Sequence, residues 1–261
     1  PDGEYVGDLL LNLDNAGIEL LSISGLAIAP DNSLYLICAG QSGASVRHAV
    51  WNVSLDGQFI QSWGEFGEQS GELGHHPEND SLGPAHIAIS AAGKVFIADT
   101  FHSQVQVFTL SGDFITRWGE EGAAAGQFHT PLSISVDMQN RVYVGDGDWR
   151  LENIQRFSEN GEFIDYALSS VKTPTGLAVS REGNLWVTDA DNNQVIQVSP
   201  SGEMISSWQS HSHQEGHFSK PIGIDTDTEG NIYIADHVNS RVQKFTPEGA
   251  LTDIWYGNQY A

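Results

Sequence analysis

The chain is poor in cations, in sulfur and in long apolar runs, and each shortage removes a class of function. Eleven Lys and Arg stand against thirty-four Asp and Glu, a formal charge of −23 over 261 residues. A nucleic-acid surface needs clustered cations to displace phosphate counterions, so RNA and DNA are not expected partners. The single cysteine, Cys38, cannot form an internal disulfide, and within the run LYLICA it reads as core rather than as a nucleophile. No segment approaches the roughly 18 consecutive apolar residues of a membrane helix, so no membrane insertion is predicted. A signal-peptide pattern is also missing, and any targeting segment is expected to have been removed. Phosphate-binding Gly loops, nucleophile elbows, a Ser-His-Asp order and paired-carboxylate motifs cannot be assigned, which leaves no catalytic residue to name.

What the chain does have is a repeat. The clearest copy runs AHIAIS, a Gly turn, KVFIADT, VQVF and SGDFITRWG over residues 85–119, and three siblings follow it while a diverged copy precedes it. A period in the forties means one supersecondary unit stacked on its neighbours, because one unit cannot bury its apolar faces alone. Each unit holds four short apolar segments separated by Gly, Asp, Asn and Ser, the pattern of strands joined by turns. In the clearest copy these are a (87–90), b (95–99), c (105–109) and d (114–118). Strand d ends in Trp63, Trp118, Trp208 and Trp255 in four of the units. Every c–d connection carries a glycine (Gly57, Gly112, Gly161, Gly202, Gly249), which suits a hairpin turn with positive φ. The fold class is therefore all-β, a β-propeller of four-stranded antiparallel blades.

Complete units are expected at 25–64, 83–119, 128–168, 172–208 and 218–256, within a single propeller domain over 1–261. Residues 1–5 repeat the form of 200–204, so a further d strand is expected over residues 5–11, within 1–24, without its own a, b and c strands. Five complete units against six outer strands leave five or six blades open.

Several short motifs recur together: the proline before strand a (Pro84, Pro131, Pro174, Pro221), the run Gly-Asn-Ile-Tyr-Ile-Ala-Asp at 230–236, and Asn239-Ser240-Arg241-Val242-Gln243. The linker Trp118-Gly119…Gly126-Gln127-Phe128…Pro131 belongs to the same set. Together they resemble NHL repeats over nearly the whole chain. That resemblance implies six blades, and it implies one of two kinds of activity. One branch consists of binding scaffolds that present a loop-bearing face to proteins, glycans or RNA. The other is similar to peptidyl-α-hydroxyglycine amidating lyases, zinc-dependent propellers whose zinc histidines follow the proline before strand a. The matching positions here are Ala85, Leu132, Thr175 and Ile222, none of which ligates zinc, and His86 is one residue out of register. A shift of one along a strand turns the side chain to the opposite face. Arg241 matches the family's Asn-x-Arg position, whereas its counterparts are Gln104, Asn153 and Gln194.

In a propeller the d–a and b–c loops share one face, and all ten histidines are expected on that face or at its edge. His48, His102 and His237 are assigned to b–c loops; His75, His76, His129, His211, His213 and His217 to d–a loops; His86 opens an inner strand. Binding residues gather on long loops over a rigid scaffold, so His86, His102, His237 and Arg241 are binding-face candidates. The longer third b–c loop adds Asp148, Trp149 and Arg150, an aromatic beside a cation and a carboxylate that suits a ligand clamp. His211, His213 and His217 have chelating spacing, set against the reading of a solvated loop. Asp99, Asp146, Asp189 and Asp236 close strand b in four units. They could ring a channel mouth around calcium, but each is better placed to accept hydrogen bonds from the turn that follows it, and Arg241 could pair with the Asp of its own unit. The insertion 65–81 contains His75-His76-Pro77-Glu78-Asn79-Asp80, metal-competent or simply a surface loop. Asn52-Val53-Ser54 and Asn79-Asp80-Ser81 match the N-glycosylation pattern.

The sequence thus predicts an acidic, extracellular or periplasmic scaffold for a protein, peptide or glycan ligand. No cofactor is required, although calcium or zinc could bind. The alternatives are a metal-dependent enzyme of lyase or lactonase kind, and a self-assembling subunit that completes a neighbour's sheet with its extra strand.

Overall fold

The computed structural model describes residues 19–42, 45–64, 67, 69–74, 84–148, 150–151, 153–209 and 211–257. They form an all-β protein, a β-propeller of five four-stranded antiparallel blades with no helix among the described residues. Blade 1 is β1 (Glu19–Ile28), β2 (Leu34–Ser42), β3 (Ser45–Val53) and β4 (Phe59–Trp63); blade 2 is β5 (His86–Ile89), β6 (Lys94–Asp99), β7 (Gln104–Thr109) and β8 (Phe114–Trp118). Blade 3 is β9 (Pro131–Val136), β10 (Val142–Asp146), β11 (Asn153–Phe157) and β12 (Phe163–Ser169). Blade 4 is β13 (Pro174–Val179), β14 (Leu185–Asp189), β15 (Gln194–Val198) and β16 (Met204–Gln209); blade 5 is β17 (Pro221–Thr226), β18 (Ile232–Asp236), β19 (Arg241–Phe245) and β20 (Leu251–Tyr256). Strands lie in chain order across every blade. The chain divides into two compact units, Pro1–Ile134 and Ser135–Ala261.

The four strands read from the clearest repeat coincide with β5–β8 to within a residue or so. Blade 1 differs more. β1 starts six residues before Gly25, and β2 and β3 pair as far as Ser42↔Ser45, so His48 stands in a strand opposite Ala39 rather than in a b–c loop. The outer strand expected over residues 5–11 lies outside the described residues, which form five blades where the family resemblance implied six.

The five c–d turns share one construction. In each, a Ser or Thr backbone N–H bonds the carbonyl four residues on, and the glycine N–H bonds back to that Ser or Thr, as in Ser199 N to Glu203 O (2.8 Å) and Gly202 N to Ser199 O (2.9 Å). The glycines take φ between 82° and 89°, and a register shift precedes every turn, from Asn52/Val53 to Lys244/Phe245. That combination is the glycine-bulge hairpin.

Apolar clusters form where neighbouring blades meet. In the first unit Tyr35, Ile37 and Val50 of blade 1 pack on Ile87, Val95, Ile97 and Phe108 of blade 2. In the second, Tyr143 and Ile154 meet Leu177, Leu185 and Val187, and Trp186 and Val195 meet Phe218, Ile232, Ile234 and Phe245. Each such side chain contributes roughly 1.5–3 kcal/mol by leaving water. Two strand-d tryptophans, Trp63 and Trp208, add a second coupling, because each lies over the c–d glycine of the following blade. A Cβ on Gly112 would meet the Trp63 ring at 2.3 Å, and one on Gly249 the Trp208 ring at 2.6 Å. Blade 3 has Ala167 in place of Trp, and Gly202 correspondingly meets only the Ala167 carbonyl, at 3.5 Å. There Arg156 bridges instead: it is forked on Asp165 and donates to the Pro200 carbonyl in the blade 4 turn at 2.9 Å.

Candidate binding face

In blades 2 to 5 the d–a linkers and b–c turns are organised around the aspartate that ends strand b. Asp99, Asp146, Asp189 and Asp236 are all fully buried. Asp236 accepts from the Ser219 N–H (2.7 Å), the Asn239 amide (2.7 Å), Arg241 Nε (2.8 Å) and Gln243 Nε2 (3.2 Å). Arg241, itself buried, then donates to the carbonyls of His213, Gln214 and His217. Gln243 donates to the His217 carbonyl and accepts from the Gly216 N–H, while Phe218 is sealed into the core. The Gly-x-Phe linker is therefore strapped to its blade by an Asp–Arg–Gln lock, and the ion pair anticipated within this unit is present. A charge pair this deep depends on having every remaining donor and acceptor satisfied.

Other blades use variants of the lock. Asp189 accepts from the backbone of Lys172 and Thr173 and from the Asn192 amide. Asp99 accepts from His102 Nδ1 (2.8 Å), Gln104 Nε2 (3.2 Å) and Gln106 Nε2 (2.8 Å), and Gln106 reaches the linker at Gly71 and Glu72. Asp146 accepts from the Asp148 N–H. These carboxylates serve as acceptors for turns and linkers. Gln106 was not singled out in the sequence and Gln243 entered only as part of the Asn239–Gln243 motif, although the shared Val-Gln-Val/Lys-Phe pattern of strand c was the available signal.

The histidines fall in diverse settings. His86 donates from Nδ1 to the Ile134 carbonyl at 3.1 Å; burial holds its imidazole below the usual histidine range, and that hydrogen bond opposes the shift. His102 is mostly covered and is oriented by Asp99. His237 is exposed. His211 bridges to Phe218, His213 Nδ1 meets Asn239 Oδ1 at 2.5 Å, and His217 Nδ1 meets Ser212 Oγ at 2.7 Å. The three thus decorate the linker wound over Arg241, and no group of three or more metal-ligating side chains converges among the described residues. Arg150 is forked on Asp148 and half exposed, while Trp149, His75, His76 and the second sequon lie outside the described residues. Asn52 of the first sequon is buried and donates to the Tyr35 hydroxyl at 2.9 Å, which leaves no room for a glycan. Cys38 is buried too, and burial pushes its thiol up to about 12.

The position that carries zinc histidines in the lyases has another use here. Thr175 donates its hydroxyl to the Pro221 carbonyl of the next inner strand at 3.0 Å, and Ser24, at the corresponding place in blade 1, donates to the Pro84 carbonyl at 2.9 Å. Adjacent blades are stitched together at these points.

Comparison with known proteins agrees with this architecture. A family model for the NHL repeat matches residues 172–197 and 218–245. The chain is similar to protein brain tumor of Drosophila melanogaster, 23% identical over 154 residues that make up 59% of this chain and 14% of that protein. It is also similar to mouse peptidyl-glycine alpha-amidating monooxygenase, 36% identical over 76 residues, 26% of this chain and 8% of that protein. The chain thus spans a small part of these curated relatives. Among solved structures, a chain of a nidogen/laminin complex aligns with a TM-score of 0.68 at 16% identity, covering 91% of this chain and 81% of its own length.

Proposed function

We propose that this NHL-repeat β-propeller is a binding scaffold, acting outside the cytoplasm, whose loop-bearing face takes a protein, peptide or glycan ligand. The observation that carries this reading is the asymmetry between the two faces. The c–d turns repeat a single construction in every blade, whereas the b–c turns and linkers vary from blade to blade and, within the second unit, hold His213, His237 and the Asp148–Arg150 fork. Varied side chains over an invariant frame are what a recognition surface requires. The similarity to the amidating monooxygenase supports a second reading, a metal-assisted lyase, but Ala85, Leu132, Thr175 and Ile222 supply no zinc ligand at the family's positions.

A peptide and glycan array probed with the purified chain tests the scaffold. Hits should disappear in a variant combining His237→Ala with Asp148→Ala, and persist in one combining Ser111→Ala with Ser201→Ala on the turn face. Hits that follow the turn face instead would overturn the reading. So would stoichiometric zinc or calcium that survives dialysis and is lost with His86→Ala or Asp99→Asn.

A further inference from the structure

We draw no further inference here: the strongest candidate, the outward sheet face of blade 5, where Val242 stands exposed although its counterparts Ile154 and Val195 are buried, carries nothing because nothing in the structure shows what covers it.

Discussion

Replacing Asp236 by alanine removes the acceptor shared by Ser219, Asn239, Arg241 and Gln243, and leaves a guanidinium buried without its carboxylate. Stranding a buried charge costs about 3–5 kcal/mol, so the urea midpoint of Asp236→Ala should fall steeply. Arg241→Met should cost less, because Asp236 keeps three other donors. Equal losses would mean that the Arg241 bonds to the linker carbonyls, rather than the ion pair, carry the lock. His86 gives a pH signature. Burial depresses its folded pKa, so the unfolded chain binds a proton first on acidification. Stability is then full above the unfolded value of about 6.5 and declines as pH falls from there toward the folded value. His86→Gln should flatten the melting-temperature profile between about pH 7 and 5.5. A profile as steep as that of the parent would assign the decline to other groups. Asp236 and Arg241 were legible in the sequence because the pair closes within one repeat. The roles of Gln243, Ser24 and Thr175 were not, since their partners lie in a linker or in the next blade, at a separation that no local pattern encodes.

Among the elements, the c–d turn yields the sharpest contrast. Gly249→Ala meets both the left-handed φ of 88° and the Trp208 ring, whereas Gly126→Ala, at φ 83°, has nothing within 4 Å of the new methyl. Gly126→Ala should cost about 1 kcal/mol, the backbone term alone. Gly249→Ala should cost at least twice that, and equal denaturation midpoints would show that Trp208 moves aside freely. Strand positions were readable because alternation and turn glycines repeat five times, so an error in one copy is corrected by its siblings. Blade 1 escaped this correction: the extended β2–β3 hairpin has no counterpart in other units, and His48 was assigned to a loop by analogy with them. The glycines of the c–d turns were read as turn-makers only. The second task of Gly112 and Gly249, lying beneath a tryptophan from the preceding blade, belongs to a contact between repeats and leaves no trace within either one.

For the whole chain, a charge of −23 makes self-repulsion a standing cost of compaction. Salt screens that repulsion over a Debye length of about 10 Å at 0.1 M. Raising sodium chloride from low to about 0.5 M should therefore lift the melting temperature by a few degrees, and a fall would show that attractive surface pairs dominate instead. The two couplings between blades also bear on how such a chain can grow. Tandem duplication of blade 4 would give each copy a working joint, since Trp208 of one would settle over Gly202 of the next. Duplicating blade 3 would place Ala167 over Gly161, and that joint would rest on the Arg156 bridge instead of an indole. The two blades would therefore join their own copies by different means, an indole in one and a guanidinium in the other.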